Sequence, residues 1–326
     1  MSASMPTHCR DNHRRRAVPW PGVLVAVLLA GFNTAAPGFT LEVERVTDRA
    51  YALVGDIGPR SVENHALNNT LGFVVTDDGV ILVGSGASPA GAALIERTVA
   101  GVTPQPIRWV VNIGAQDHHW LGNDYFAAKG AEIIALERTV AAQQTHVDAH
   151  LARLRGLLGD VVEDIGPAYA PAPIDADRAS LQLGGLDLEL MWPGNGHFPG
   201  DAVLWLPRQR VVFTGDFVFH DRMLGIHPFT SVVAWRDAFD AIAALEPAHV
   251  VPGHGRPGDM AKATADTGDY LHSLADRVGG ALEDWMEIGA TIEALAEAPA
   301  FRHLRFYDDW HRRNLHRTYL QLESAL

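Results

Sequence analysis

Histidine and aspartate side chains stand just after predicted strands at four places in this 326-residue sequence. In chain order they are Asp117 with His118 and His119, then His197, Asp216 and His254. Imidazole and carboxylate groups are common ligands of zinc in proteins. Side chains from the ends of separate strands can converge on one ion. Glycines beside these residues, such as Gly215 and Gly253, allow close turns. The pattern therefore predicts a metal site assembled at one edge of a sheet.

The loop at Gly84-Ser85-Gly86 has the shape of a fifth such loop but carries no ligand. It does not match the turn that holds the nucleophilic serine of many hydrolases, because Val83 stands where the first glycine belongs. It does not match a dinucleotide-binding fingerprint either, because Pro89 occupies the third glycine position. We therefore expect neither a nucleophilic serine nor a dinucleotide cofactor at this loop.

Short apolar strands alternate with helices along the chain, and these elements must position the candidate ligands. Strands are predicted at 41–46, 51–54, 71–75, 80–83, 109–111, 132–135, 186–191, 203–206, 211–214 and 249–251. Helices are predicted at about 89–99, 119–129, 139–158 and 234–245. Two β-rich halves with interleaved helices favour a sandwich of two sheets covered by helices, which is an α/β architecture.

A connector and a helical tail complete the predicted organisation. Residues 160–178 are rich in Pro, Ala and Asp and are predicted to connect the two halves. From about Met260 the chain is predicted to be almost wholly helical, with breaks near Gly279-Gly280, Gly289 and Pro299. The sequence has no low-complexity stretch and no repeat of fixed period.

The first 38 residues have the layout of a secretory signal peptide. His13-Arg14-Arg15-Arg16 is basic, the run from Val18 to Phe32 is apolar, and small residues follow at Ala35, Ala36 and Gly38. The apolar run is shorter than the roughly 20 residues that span a bilayer, although an uncleaved membrane anchor is the alternative. The order predicts a periplasmic or secreted protein with no stable membrane span after processing.

The chain is strongly acidic, which limits its partners. It has 26 Lys+Arg and 39 Asp+Glu, a net charge of −13 with His neutral. Removing residues 1–38 takes away four Arg and one Asp, which leaves 22 basic and 38 acidic residues and a net charge of −16. Such acidity argues against a nucleic-acid partner. The one cysteine, Cys9, lies in the segment predicted to be removed, so no disulfide is expected to hold the processed chain.

Five stretches of the sequence resemble the metallo-β-lactamase superfamily, and the match covers about residues 51–255. They are residues 69–79, His119-Trp120-Leu121-Gly122-Asn123, Gly196-His197-Phe198-Pro199-Gly200-Asp201, Thr214-Gly215-Asp216 and Pro252-Gly253-His254-Gly255. The chain is most similar to the exported quinoprotein relay system zinc metallohydrolases, which are found with pyrroloquinoline-quinone-dependent dehydrogenases. The tail, with Trp310, Asn314 and Tyr319, is similar to theirs too. The resemblance implies an αββα sandwich over residues 39–258 and a C-terminal helical extension, residues 259–326, packed on the same domain.

The chain departs from the superfamily's metal-binding motif, His-x-His-x-Asp-His. When the motif is aligned on this sequence, Gly114 and Gln116 replace the two leading histidines. The aspartate that orients ligands from the end of an earlier strand is Gly84 here. The first metal position of a two-metal enzyme would therefore keep only His197 and Asp216, with Gln116 as a poor third ligand. Two ligands are too few for zinc.

The second metal position of the superfamily keeps most of its ligands. The resemblance assigns His119, Asp216 and His254 to it, and either His118 or Asp117 can complete a tetrahedral set. It therefore implies a single zinc ion per chain. In full, the residues predicted to lie at the metal site are His118, His119, His197, Asp216 and His254.

The resemblance implies zinc-dependent hydrolysis, in which the metal lowers the pKa of a bound water toward ~7. Asp216 would ligate the metal and accept a proton, and His197 would stabilise an oxyanion or leaving group. His220 and His227 are candidates for contact with substrate. Residues 55–68 and 217–232, the loops expected to select the substrate, contain no group that indicates its identity.

A second function class stays open from the sequence. The loss of both leading histidines and of the carboxylate at Gly84 favours a non-catalytic accessory or binding protein that keeps the fold. Its partner would be a periplasmic quinoprotein dehydrogenase or cytochrome. The survival of His197, Asp216 and His254 favours the hydrolase instead.

Overall fold

A computed structural model describes residues 38–162 and 165–325 of the chain. The predicted signal peptide, apart from Gly38, lies outside the described residues. The first of two sheets has its strands in chain order, β1 (Glu42–Arg45), β2 (Ala50–Val54), β3 (Thr70–Val75), β4 (Val80–Val83), β5 (Ile107–Val111) and β6 (Glu132–Ile134). The second sheet runs in the order β11 (His249–His254), β10 (Val211–Phe219), β9 (Val203–Leu206), β8 (Leu186–Met191) and β7 (Arg178–Leu183).

Helices follow or interrupt the strands in both halves. Those of the first half are α1 (Pro89–Ala100), α2 (Asp117–Trp120), α3 (Asn123–Ala127) and α4 (Glu137–Leu158), which continues as a 3₁₀ turn over Gly159–Val162. Those of the second half are α5 (Val232–Ala243), α6 (Met260–Ala263), a π turn at Thr264–Gly268, α7 (Asp269–Glu283), α8 (Ile288–Leu295), a 3₁₀ turn at Pro299–Phe301 and α9 (Tyr307–Glu323). Among the described residues, no helix has both the length and the apolar composition needed to cross a bilayer.

The two sheets pack face to face, and helices cover their outer faces. Between the sheets, Val111 belongs to the same buried cluster as Phe213. A Cβ on Gly72 would lie 2.2 Å from the Phe213 ring, so the glycine permits this close approach. Helix α1 covers the first sheet through Ile95, and α5, α7 and α9 cover the second, with Trp235 fully buried. The predicted αββα sandwich with C-terminal helices is confirmed.

Burial explains which strands were evident in the sequence. Every residue of β4 and β9 is buried and apolar, so these strands are continuous apolar runs, whereas β10 is wholly buried but carries Thr214, Gly215 and Asp216 at its centre. Strand β7, which the sequence analysis did not predict, is an edge strand whose residues alternate between exposed and half-buried. Only its first residue, Arg178, falls in the predicted connector, and its apolar residues are only half-buried, so they form no continuous apolar run.

Three predicted boundaries are wrong for identifiable reasons. The helix expected over 119–129 is split into α2 and α3, because the N–H of Gly122 donates to the Gly86 carbonyl oxygen at 2.9 Å instead of continuing the helix. Helix α7 continues through Gly279-Gly280, and Gly289 lies inside α8. The break between them falls at residues 284–287, where Trp285 has a left-handed φ of 57°.

Strand β10 continues beyond its predicted end at residue 214. It pairs with β11 in parallel, and the register shifts twice between Phe213 and Phe219. Gly215 adopts a left-handed φ of 51° at the first shift. Asp216 therefore lies within an irregular strand rather than in a loop, and His254 is the last residue of β11.

Candidate metal centre

Helix α2 brings two histidines and an aspartate to one place. Asp117, His118 and His119 are consecutive and are each at most 1% exposed. The rings of His118 and His119 lie 4.3 Å apart, centroid to centroid, and both reach Asp216 of the neighbouring sheet. Asp117 turns away from Asp216 and pairs with Arg60. The two histidines of this short helix thus contact Asp216, whereas its aspartate contacts Arg60.

Asp216 is the centre of the cluster, and its two carboxylate oxygens face different histidines. Its Oδ1 lies 3.3 Å from His119 Nε2 and 3.5 Å from His254 Nε2. Its Oδ2 lies 3.1 Å from His118 Nε2 and 3.5 Å from His197 Nδ1. Burial works to raise the pKa of Asp216, but the four imidazoles hold that pKa well below its usual value. The carboxylate is therefore ionised and ready to bind a cation.

Several buried polar atoms of the cluster have no hydrogen-bond partner among the described residues. They are Oδ1 of Asp216, both ring nitrogens of His119 and Nδ1 of His197. A buried polar atom without a partner costs about 1–3 kcal/mol, so such atoms gathered at one point need an explanation. The ligand atoms of His118, His119 and Asp216 lie within 4.8 Å of one another, as a metal site requires. The donor set, imidazole nitrogen with carboxylate oxygen, fits zinc.

His254 is oriented as a metal ligand by a backbone contact. Its Nδ1 lies 2.9 Å from the Asn68 carbonyl oxygen, which can only accept, so Nδ1 carries the proton. Burial, with the nearby Arg222 cation, holds the pKa of His254 well below its usual value. The ring is therefore neutral, and the lone pair of Nε2 points toward Asp216. A carbonyl that fixes the tautomer of a ligating histidine in this way is common at metal sites.

Comparison with known proteins agrees with this site and fold. The family model of the metallo-beta-lactamase superfamily matches residues 67–254, a range that includes the whole histidine and aspartate cluster. The chain belongs to the metallo-beta-lactamase superfamily. The match extends over more than half of the chain and ends at His254, the last residue of the cluster.

Individual superfamily members are distant from this chain. It is 27% identical over 152 residues to a type 2 metallo-beta-lactamase of Bacteroides fragilis, covering 43% of this chain and 52% of that one. It is 25% identical over 233 residues to the alpha subunit of a 2,4-dinitroanisole O-demethylase of Nocardioides sp. (strain JS1661), covering 70% of this chain and 64% of the other. The structure of a sec-alkylsulfatase from Pseudomonas sp. superposes with a TM-score of 0.69 at 17% identity, over 86% of this chain and 50% of that one. The chain thus spans about half to two thirds of the length of these proteins.

Close packing leaves no room for a side chain at Gly114. A Cβ on Gly114 would lie 2.4 Å from Cδ2 of His119, because the His119 ring occupies that space. At Gly84 the backbone has a left-handed φ of 77°, and a Cβ would lie 2.6 Å from Leu71. No carboxylate can stand there without rearrangement, which agrees with the unpartnered Nδ1 of His119.

Arg60, which was not among the predicted site residues, enters the cluster from the loop between β2 and β3. Its guanidinium donates to the carboxylate of Asp117 and contacts Nδ1 of His118. Since a guanidinium only donates, Nδ1 of His118 accepts, and Nε2 carries the proton that is donated to Asp216. Burial lowers the pKa of His118, so the ring is neutral. In this arrangement His118 donates to Asp216, and it would bind a metal only after its proton moved to Nδ1 and Arg60 withdrew.

Asp117 is committed to Arg60 rather than to the metal site. Burial works to raise the pKa of Asp117, but the Arg60 cation holds that pKa well below its usual value. Asp117 Oδ1 also accepts the backbone N–H of His118 at 2.8 Å. The sequence left His118 and Asp117 as alternative fourth ligands. In the structure His118 lies beside Asp216, whereas Asp117 is paired with Arg60.

His197 stands between two carboxylates. Its Nδ1 lies 3.5 Å from Asp201 Oδ2 and 3.5 Å from Asp216 Oδ2. Asp201 is itself fixed, because it accepts the backbone N–H groups of Ala115 and Phe198. His197 also lines a cavity that opens onto the cluster. His197 is thus held close to Asp216 but on the side of Oδ2, opposite His119 and His254.

A cavity of about 530 Å³ opens onto the cluster. His118, His197 and His254 line it, and so does His227, one of the two histidines predicted to face substrate. The other, His220, is buried and its Nδ1 contacts the carbonyl oxygen of Arg256 at 2.7 Å, away from the cavity lining. Burial lowers the pKa of His227 to about 3, so this ring is neutral.

Each of the two loops expected to select the substrate contributes an arginine to the cavity. Arg60 comes from the first loop and Arg222 from the second, and both line the cavity. Neither has a local sequence signal, because each is a single arginine in a loop without a motif. Only the folded chain brings them to the strand ends where the histidines lie.

Proposed function

We propose that this chain is an exported hydrolase that uses a single zinc ion held by His119, Asp216 and His254. The observation that carries this proposal is that the two oxygens of the Asp216 carboxylate face different pairs of histidines. His119 and His254 approach the same oxygen, Oδ1, and that oxygen has no hydrogen-bond partner among the described residues. These three residues are the ones that survive from the second metal position of the superfamily.

The fourth position of the proposed site is open to water or to His118. His118 is adjacent to Asp216 but carries its proton on Nε2 while Arg60 contacts Nδ1. It would become a ligand only after the proton moves to Nδ1 and Arg60 withdraws. We therefore propose three protein ligands in the ground state, the number typical of catalytic zinc sites, which keep one position for water.

The proposed chemistry divides between the metal and two side chains. Bound zinc would supply a water of lowered pKa as the attacking group. Asp216 Oδ2, the oxygen on the side of the cavity-lining His197, would hold the proton released from that water. His197, whose Nδ1 is turned to the carboxylates of Asp201 and Asp216, would donate through Nε2 to the oxygen that becomes negative in the substrate when both ring nitrogens carry a proton.

Turnover by the zinc-loaded mature protein tests the proposal. A panel of ester, thioester and lactam substrates should include at least one that is hydrolysed, and Asp216→Asn should reduce kcat/KM at least 10²-fold. His254→Ala should abolish both zinc binding and turnover. His272→Ala is the matched control, because His272 is half-exposed and pairs with Asp240 far from the cluster. Hydrolysis that survives His254→Ala, or that falls equally in His272→Ala, contradicts the proposal.

A non-catalytic accessory protein is the second candidate. The Arg60 guanidinium favours it, because a resident cation already neutralises Asp117 and contacts His118 beside Asp216. In that case the partner would be a quinoprotein dehydrogenase or a cytochrome. Absence of turnover on every substrate, together with saturable binding of a purified quinoprotein dehydrogenase, would favour the accessory role over the hydrolase.

Export and the association with quinoprotein systems are also proposals. The basic, apolar and small segments of residues 1–38 support export. N-terminal sequencing of the protein recovered from the periplasmic fraction should give a start close to residue 39. A protein that keeps its first residues in the cytoplasmic fraction contradicts export without affecting the metal site.

A further inference from the structure

The cavity above the metal cluster has a positive lining in an acidic protein. Four arginines line it, Arg60, Arg153, Arg222 and Arg313, whereas Asp309 is the acidic residue at its exposed rim. The chain as a whole has a net charge of −13. A cluster of cations in one cavity of such a chain is not explained by composition, and it would attract anions against the overall charge.

Arg222 is the cation that most needs a partner. Arg60 is already paired with Asp117, but among the described residues no carboxylate forms an ion pair with Arg222. Its Nη1 donates to the Ile57 carbonyl oxygen at 3.1 Å, and its buried Nε has no partner. Buried charges in proteins are normally paired, so an unpaired one at the wall of a cavity indicates a site for an anion.

The guanidinium of Arg222 is also held rigidly. Its Cζ lies 5.3 Å from the centre of the Phe306 ring, and its Nη1 lies 3.3 Å from Nδ1 of His254. Because Nδ1 of His254 carries a proton for Asn68, it cannot accept from Arg222, and that contact does not satisfy the cation. A fixed, planar and unsatisfied guanidinium suits recognition of a carboxylate, sulfate or phosphate group.

Apolar side chains occupy the other side of the cavity. Leu157 is 53% exposed there, and Phe306 and Trp310 are half-buried. Arg313 lies over the Trp310 ring at 5.9 Å, and among the described residues neither Arg313 nor the exposed Arg153 has an ion-pair partner. The mouth therefore combines apolar surface with free positive charge.

We propose that this cavity binds an organic anion, with its oxyanion group on Arg222 and its apolar body against Phe306 and Trp310. Arg153 and Arg313 at the mouth would accelerate the approach of such a ligand. If the chain is the proposed hydrolase, its substrates should be anionic rather than neutral, and this part of the inference rests on that proposed function. Binding of an organic anion at Arg222 does not require that the chain catalyse any reaction.

Calorimetric binding of three matched probes tests the proposal on the full mature chain. Hexanoate and hexyl sulfate carry the anion and the apolar body, and 1-hexanol carries the body alone. Both anions should bind at least about tenfold more tightly than 1-hexanol, and inorganic sulfate should bind more weakly than hexyl sulfate. Equal binding of 1-hexanol and hexanoate would overturn the assignment of an anion site.

Variants then locate the anion. Arg222→Gln should weaken hexanoate binding about tenfold or more, as expected for loss of a charged hydrogen bond, whereas Arg222→Lys should lose less. Arg208→Gln removes the same charge from the turn between β9 and β10, where Arg208 is 82% exposed, and should change binding less than twofold. The effect of Arg222→Gln should persist after zinc is removed with a chelator. An unchanged affinity in Arg222→Gln, with both variants folded, would refute the proposal.

Failure of this inference is distinguishable from failure of the proposed function. Hexanoate binding through Arg222 without hydrolysis of any anionic ester would reject the hydrolase and leave the anion site. Hydrolysis of neutral esters without hexanoate binding would reject the anion site and leave the hydrolase.

Discussion

Removing Arg60 should destabilise the metal-free protein, because it leaves a buried carboxylate without its counterion. The side chain of Asp117 is 0% exposed and that of Arg60 is 5% exposed. After Arg60→Gln, Oδ1 of Asp117 keeps the backbone N–H of His118, but Oδ2 has no partner among the described residues. Breaking a buried ion pair by removing one member costs roughly 3–5 kcal/mol. We expect a loss of that size in the free energy of unfolding.

Urea denaturation followed by circular dichroism, with a chelator present, measures this loss. Asp117→Asn added to Arg60→Gln should recover more than half of it, because no buried charge then remains. The pKa of Asp117 is lowered in the folded protein, so the pair stabilises the fold above the unfolded pKa of about 3.9 and loses that effect as the pH falls. Because the buried Asp117 carboxyl without its counterion takes up a proton at a higher pH in Arg60→Gln than in the parent, the stability difference between the two should shrink as the pH falls.

Two results would refute the reasoning about Arg60. One is an Arg60→Gln variant within about 1 kcal/mol of the parent at pH 7, which would mean that the Asp117 carboxylate is solvated or protonated. The other is a double variant that is no more stable than Arg60→Gln alone. Either result would also remove the argument that Arg60 holds His118 as a donor to Asp216.

Two further predictions concern the ligands themselves. Burial works to lower the pKa of His119, but the Asp216 carboxylate raises that pKa overall, whereas the pKa values of His118 and His254 are lowered. Zinc binding near pH 6.5 should therefore release about one proton, from His119. Calorimetry in buffers of different ionisation enthalpy measures the number of protons released. Release of no proton, or of two or more, contradicts this assignment. A Cβ on Gly253 would lie 2.2 Å from Asp216 Oδ1, so Gly253→Ala should lower zinc affinity at least tenfold and stability by about 1–3 kcal/mol in thermal unfolding. The control variant is Gly279→Ala in α7, where an added Cβ would meet nothing within 4 Å. This substitution should stabilise the helix, because alanine has a higher helix propensity than glycine. Equal effects of the two variants would contradict the packing argument.

The sequence predicted the sandwich and the residues that gather at Asp216 because both depend on local patterns. Buried strands such as β4 and β9 are short apolar runs, and Asp216 and His254 follow apolar residues within β10 and β11. Where local patterns were misleading, packing decided. Gly279-Gly280 suggested a helix break, yet α7 continues to Glu283 because its buried face packs against α5 and α9. The predicted helix over 119–129 is interrupted at Gly122, because its N–H donates to the Gly86 carbonyl oxygen rather than within the helix.

The arginines at the cavity could not be predicted in the same way. Arg60 is 57 residues from Asp117, and Arg222 meets Ile57 across 165 residues of chain. No periodicity or spacing relates positions so far apart. Their positions change the interpretation of the cluster, because Arg60 decides which nitrogen of His118 carries a proton. The sequence identified His118 as a candidate ligand but could not identify the residue that competes for it.

A crystal structure of the zinc-soaked protein, with anomalous data collected at the zinc edge, tests the central claim most directly. One anomalous peak per chain is expected, at about 2.0–2.2 Å from His119, from Nε2 of His254 and from Oδ1 of Asp216. His197 should remain outside the coordination sphere. Two peaks, a single peak bound through His197 and Oδ2 instead, or no peak at saturating zinc would each contradict the single-metal site proposed here.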